Sequence, residues 1–340
     1  MSKVIIIAEA GVNHNGNFEI AKQLVLAAAD AKVDYVKFQT FKADKLVSED
    51  AMKADYQKKN TSDDTNTQFE MLKKLEMPRE WHFELIEYSK SLGVKFLSTG
   101  FDEESIDFLD TLNIDLYKIP SGEITNKPFL EHIARKGKPI ILSTGMANLQ
   151  EIEDAIEILK ASGSSNSSLT LLHCNTEYPT PMSDVNLGAM NSLKTKFDVN
   201  IGYSDHTLGI EVPIAAVALG AKVIEKHFTL DKEMLGPDHK ASLNPIELKQ
   251  MVNCIRNIEL TLMGTGIKYP TLSEKKNSVI SRKSIYTNKN IKAGQVIKRE
   301  DLIMLRPGDG ISPMLIDEII GRKANRLILE KNKLNFKDFI

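Results

Sequence analysis

The chain has 340 residues, 42% of them apolar, which suffices for one large core and a small second domain. Its 44 Lys and Arg stand against 46 Asp and Glu, a net charge of −2, so there is no electrostatic case for nucleic acid or an anionic membrane as partner. Cys174 and Cys254 lie far apart without Cys-x-x-Cys spacing, and the start lacks a basic leader and a cleavage pattern, so a reduced, cytoplasmic chain without signal peptide is expected; no apolar run approaches the ~20 residues of a membrane helix.

In chain order, short β-branched runs alternate with longer helical patterns. The strand candidates are residues 4–8, 35–39, 94–98, 116–119, 139–143, 169–173, 199–203 and 222–227. Amphipathic helices are expected over 20–31, 80–92, 149–161 and 212–219. Strands this apolar, alternating with helices, argue for a parallel sheet covered on its outer face. Eight such units over ~250 residues predict an α/β fold of the (β/α)8 TIM-barrel type. A doubly wound open sheet would carry Gly-x-Gly-x-x-Gly after its first strand, where this chain reads AGVNHNG over 10–16. The second connection, 40–78, is long and polar and predicts a partly helical lid or wall at the strand-end face. After a last barrel helix over 248–263 the pattern changes. Residues 1–265 are assigned to the barrel, 266–281 to a linker, and 282–340 to a small β-rich domain too small to rely on its own burial.

Barrel active sites sit at the C-terminal ends of the strands, so chemistry is expected at those ends. All eight are polar: Glu9 with Asn13 and His14; Lys37 and Gln39; Ser98 and Thr99; Lys118, Ser121 and Glu123; Ser143 and Thr144; His173, Asn175, Thr176 and Tyr178; Ser204, Asp205 and His206; Glu225, Lys226 and His227. Burying so many polar groups without purpose is costly, which favours a catalytic face over a scaffold. A lone lysine at such a place is more often ion-paired or snorkelling, but Lys37 and Lys118 with Ser121, Ser143 and Ser204 suit a phosphate or carboxylate. His206 and His227 end neighbouring strands. A single histidine is more often a hydrogen-bonded core residue, whereas this pair suits a shared divalent metal with positions left open for water and a carbonyl oxygen. Glu9, Glu123 and Asp238 are candidate acid–base or hydroxyl-binding carboxylates; Glu123 is favoured because it follows Lys118 and Ser121 in one loop.

Nine stretches in order carry a resemblance over essentially the whole chain. The first four are AEAGVNHNG over 8–16, with Glu9; VKFQTF over 36–41, with Lys37; KIPSGE over 118–123, with Lys118; and LSTGM over 142–146, with Ser143. The others are HCNTEYPTP over 173–181, GYSDH over 202–206 with Ser204, EKHFT over 225–229 with His227, GPDH over 236–239 with Asp238, and RPGDG over 306–310 with Arg306. Together they resemble the N-acetylneuraminate (sialic acid) synthase family, a barrel followed by an antifreeze-like (SAF) domain. The resemblance implies a phosphoenolpyruvate-dependent transferase of carbohydrate biosynthesis. It would condense phosphoenolpyruvate with open-chain N-acetylmannosamine through a metal-activated aldehyde and C–O cleavage.

By that resemblance His206 and His227 hold Mn2+, or Mg2+ less well. Lys37, Lys118, Ser121, Ser143 and Ser204, with Asn175 or Thr176, hold phosphoenolpyruvate; Gln39, Glu123, Tyr178 and Asp238 line the sugar site. Glu123, Glu9 and Lys118 are the expected catalytic residues. A homodimer is implied, in which each SAF domain covers the partner's barrel and Arg306 reaches the sugar there. Residues 42–45 and 236–239 favour N-acetylmannosamine. The alternatives are a 2,4-diacetamido-2,4,6-trideoxyhexose, giving legionaminic or pseudaminic acid, a metal-dependent pyruvate aldolase, and a carbohydrate- or ice-binding protein without catalysis.

Overall fold

In the computed structural model, which describes residues 3–61 and 67–340, eight parallel strands wrap into a barrel. They are β1 (Ile5–Gly11), β2 (Tyr35–Thr40), β3 (Lys95–Gly100), β4 (Tyr117–Ile119), β5 (Ile140–Ser143), β6 (Leu169–Cys174), β7 (Asn200–Asp205) and β8 (Val223–His227). Hydrogen-bonded order runs β3-β2-β1-β8-β7-β6-β5-β4. β3 and β4 lie side by side without a paired register, so the barrel is nearly closed. The expected fold class is therefore the observed one.

Period-two alternation sorts each strand into an inner and an outer set. The outer set packs beneath the helices in the main core, with Ile6, Ala8, Val36, Phe38, Leu142, Leu171, Ile201 and Ile224 among its members. The inner set forms one apolar layer across the barrel: Ile7, Tyr35, Leu97, Leu116, Ile141, Leu172 and Val223. On β7 the same level is occupied by Gly202. A Cβ there would press on the Val223 carbonyl oxygen and lie 2.6 Å from Leu172 Cδ2. Gly202→Ala should destabilise the barrel by about 1–3 kcal/mol through overpacking, read as a lower urea midpoint; an unchanged midpoint would contradict this account of the layer.

The covering helices start at well-made caps. Asn17 accepts from the backbone of Glu19 and Ile20 ahead of helix Phe18–Asp30. Asn148 with Glu151, and Asn244 with Glu247, form capping boxes at Leu149–Ala161 and Pro245–Thr261. In the long second connection, helices Ala43–Leu46, Asp55–Thr61 and Gln68–Leu75 form. The first and third build a satellite core with Val12 and Phe41, through Ala43, Met71, Leu72 and Leu75.

The chain divides into two compact units, Met1–Met263 and Gly264–Ile340. In the second, part of the stretch read as linker is helix Leu272–Ser281. An antiparallel pair, β9 (Ser284–Thr287) and β10 (Leu302–Leu305), packs on a core that includes Ile285, Ile291, Ile297, Ile319, Ile328 and Leu334.

Candidate active site

The next inner layer of the barrel, two residues beyond the apolar one, is polar on every strand but one. It holds Glu9, Lys37, Thr99, Lys118, Ser143, Ser204 and Glu225, with Cys174 on β6. All eight are buried. Parallel register sets Glu9 beside Lys37 and His227, and Ser204 beside Glu225.

The layer is wired as one ionic network. Lys37 Nζ lies 2.7 Å from Glu9 Oε2 and 3.6 Å from Glu225 Oε2, and donates to Thr99 Oγ1 at 2.9 Å. Lys118 Nζ lies 3.7 Å from Glu225 Oε1 and donates to Ser143 Oγ at 2.7 Å. Ser204 Oγ donates to the same Glu225 oxygen at 3.1 Å, and Gln39 Nε2 to Glu9 Oε1 at 3.2 Å. Glu225 thus bridges both lysines. Burial opposes its charge, but Lys118 and Lys37 outweigh burial and hold it below the usual range. For Lys37, burial is likewise outweighed by Glu225 and Glu9, which hold its ammonium up. Lys118 is pulled down by burial against the attraction of Glu225, and Glu9 is pushed up by burial against the attraction of Lys37. Two cations stand against two carboxylates, under a ring of hydroxyls.

Above this floor sits the histidine pair. Rings of His206 and His227 are 5.4 Å apart, and Tyr178 lies 4.1 Å from His206 and 5.7 Å from His227. His206 Nδ1 donates to the Asn175 carbonyl oxygen at 2.5 Å, which leaves Nε2 as a lone-pair donor. His227 Nδ1 is buried without a hydrogen-bond partner. Burial keeps both rings neutral: it lowers His206 to about 4, and it lowers His227 well below the usual histidine range, with His206 adding to the effect. Neutral imidazoles with an orphaned ring nitrogen and a fixed tautomer fit a divalent metal. Among the described residues no group of three or more His, Cys, Asp or Glu could hold a metal. A metal held by these two side chains alone would have further coordination positions for water or substrate.

These groups share one cavity of about 320 Å³. The sequence-predicted residues Glu9, Lys37, Gln39, Lys118, Ser121, Glu123, Ser143, Thr176, Tyr178, Ser204, His206, His227 and Asp238 all line it. Ser121 Oγ accepts from the Gly145 amide at 3.0 Å. Glu123 stands at the rim, where its Oε2 accepts from Asn126 Nδ2 at 2.6 Å. Asp238 is buried and pushed up to about 7, by burial first and Glu9 second. Asn175 does not line the cavity; its side chain accepts from the Glu177 amide and so holds the loop after β6, leaving Thr176 facing the cavity. Arg306 is an exposed residue of the second unit.

Several of the polar residues named from the sequence lie outside the cavity. Lys226 and Asp205 are one residue out of phase and pair with each other in the outer layer. His173 Nε2 bonds the Val185 carbonyl at 2.9 Å. His239 spends both nitrogens on Thr229 and Asn15. Sequence reading passed over Glu225 as a site residue, although it stands two residues before His227 and so shares its face. It names Thr99 at a strand end without giving it a role, and passes over Cys174, which the same alternation points inward, and Tyr56. The ring of Tyr56 stacks on Tyr178 at 5.1 Å from within the long connection, where no periodicity signals it.

No helix of the described residues is long and apolar enough to cross a membrane. Comparison with known proteins matches the NeuB family over residues 24–268 and the SAF domain over 282–330. The N,N'-diacetyllegionaminic acid synthase of Campylobacter jejuni is 53% identical over 326 residues, covering 96% of this chain and 97% of that one. The enzyme of the same name from Legionella pneumophila is 52% identical over 322 residues, covering 94% and 90%. Among solved structures, the N-acetylneuraminic acid (sialic acid) synthetase of Leptospira borgpetersenii, in complex with citrate, superposes with a TM-score of 0.72 at 36% identity, over 81% of this chain and 90% of that one. A barrel with this polar layer, matched along its length by these relatives, is a member of the NeuB family of sugar-acid synthases, with a SAF domain C-terminal to the barrel.

Proposed function

We propose that the chain condenses phosphoenolpyruvate with an open-chain 2,4-diacetamido-2,4,6-trideoxyhexose, giving a legionaminic-acid-type nonulosonic acid and phosphate. The observation that carries the choice of sugar is the 53% identity, over 96% of the chain, to N,N'-diacetyllegionaminic acid synthase, against 36% to the sialic acid synthetase. This replaces N-acetylmannosamine, the sugar favoured from residues 42–45 and 236–239, as the first acceptor to test.

Phosphoenolpyruvate lies on the floor, its phosphate and carboxylate between Lys37 and Lys118 and under the hydroxyls of Ser121, Ser143, Thr176 and Ser204. The two ammonium groups offset charge on the substrate and on the leaving phosphate. His206 and His227 hold a divalent ion, Mn2+ or Mg2+, which when bound supplies Lewis acidity at the sugar's aldehyde oxygen. Gln39, Tyr178, Asp238 and Glu123 orient the sugar so that its aldehyde carbon meets C3 of phosphoenolpyruvate. A carbon–carbon bond forms there, water adds at C2, and the C–O bond to phosphate breaks. Glu123, at the rim, and Glu9, buried beside Lys37, are the carboxylates placed to move protons. Incubation with phosphoenolpyruvate carrying labelled bridging oxygen tests this: one labelled phosphate per sugar acid is expected, and label retained in the sugar acid would refute the cleavage.

A second copy completes the site in this reading. Leu272, Ile280 and Ile267 of the second unit are 83%, 65% and 75% exposed, apolar surface suited to a homodimer contact. Arg306 of one chain then serves the sugar site of the other. Arg306→Ala should raise the sugar KM about tenfold or more and leave the phosphoenolpyruvate KM within twofold, by steady-state kinetics. Equal rises in both would count against a sugar contact.

A further inference from the structure

The cavity has two chemically opposed sides. Its floor is the ionic layer. The side built by the long second connection is largely aliphatic: Leu46, Val47, Met71, Leu72 and Leu75 line the cavity together with Val12, beside Tyr56, Gln57 and Gln68 of the same connection, where Gln57 is engaged locally, accepting from the Ala54 amide and donating to Tyr56 Oη. Met71, Leu72 and Leu75 are buried, and their other faces belong to the satellite core. The wall is held in place. Glu76 accepts from the Ala43 amide at 2.9 Å and lies 3.3 Å from Lys42 Nζ. Asn60 Nδ2 donates to the Pro237 carbonyl at 2.8 Å, tying the connection to the loop that carries Asp238. Such a surface is unnecessary for phosphoenolpyruvate, whose charges belong on the floor, or for the aldehyde, which belongs at the histidines.

From this we infer that Leu46, Val47, Met71, Leu72 and Leu75 form the subsite that reads C6 of the acceptor sugar, admitting a methyl group and disfavouring a hydroxymethyl. The inference rests on the proposed 6-deoxy acceptor and adds where that deoxygenation is recognised. A C6 methyl seated on the wall removes apolar surface from water on both sides. A C6 hydroxyl in the same place loses its water and meets no donor or acceptor among these five side chains. An apolar pocket rejects an added hydroxyl only moderately, by roughly 10²-fold at most, so a preference of about 10- to 100-fold is expected.

The test compares N-acetylmannosamine with its 6-deoxy analogue in the full-length protein, and runs the 2,4-diacetamido-2,4,6-trideoxyhexose in parallel. The wild type should turn over the 6-deoxy analogue with about 10- to 100-fold higher kcat/KM. Val47→Thr, which keeps shape and adds a hydroxyl, and Leu72→Gln should each carry that ratio towards one while the phosphoenolpyruvate KM stays within twofold. A wild-type ratio near one, or a ratio unchanged in both variants, overturns the inference. Refusal of the diacetamido sugar by a wild type that still prefers the 6-deoxy analogue would overturn the proposed acceptor and leave the role of the wall standing.

Discussion

Lys37→Met should lower kcat/KM for phosphoenolpyruvate by about 10²–10³-fold, the usual scale for losing one preorganised charge-stabilising donor. The effect follows from balance. Lys37 is buried 2.7 Å from Glu9 and 3.6 Å from Glu225, and with Lys118 it gives the floor two cations against two carboxylates. Without it the floor carries an uncompensated negative charge in a site shielded from water, and an incoming anion meets repulsion where it met attraction. The loss should therefore fall on the phosphoenolpyruvate KM as well as kcat, while the sugar KM changes little. Adding Glu225→Gln to Lys37→Met restores the balance of charge without touching a carboxylate assigned to proton transfer, and should recover part of the loss, a coupling read directly from a double-mutant cycle. Less than a tenfold loss, or strictly additive effects, would show that the anion sits elsewhere.

His227→Ala should reduce turnover by roughly 10³-fold, because Lewis-acid stabilisation is worth several kcal/mol and a site of two histidines has no redundancy. The readout that separates this from general damage is metal content. Wild-type protein loaded with Mn2+ should retain about one ion per chain after desalting, and His227→Ala should retain none while unfolding at a similar urea midpoint. His227 Nδ1 is buried without a partner, so removing the ring deletes no hydrogen bond from the apo protein. Full metal content with activity indifferent to chelator would remove the histidine pair from consideration as the metal site.

Legibility of this site in the sequence followed the strength of its periodicity. On the strands, alternation of two decides which side chains enter the barrel. It marks Glu225 and His227 as inner and Lys226 as outer, and Ser204 as inner and Asp205 as outer. Taking whole strand-end tripeptides as one group blurs that distinction, so Glu225, the group that joins both lysines, stands beside Lys226 at the mouth without a role of its own. The loop after β6 has no such rule, and only the hydrogen bond from the Glu177 amide to Asn175 tells which of Asn175 and Thr176 turns to the cavity. Least legible was the second connection. Its length signals function, but its polar composition hides the few apolar residues, Met71, Leu72 and Leu75 among them, that have one face in the satellite core and the other on the cavity. Tyr56 was invisible for the same reason: its partner, Tyr178, is 122 positions away in sequence, and only the fold stacks them.

The chemistry and the acceptor are tested together by phosphate release from phosphoenolpyruvate in the presence of Mn2+, with the 2,4-diacetamido-2,4,6-trideoxyhexose and N-acetylmannosamine measured in parallel. The proposed function predicts release with both reactants present, none with phosphoenolpyruvate alone, and a kcat/KM at least tenfold higher for the diacetamido sugar. Release with N-acetylmannosamine at equal or higher kcat/KM would contradict the acceptor assignment, and silence with both sugars would contradict the proposed reaction.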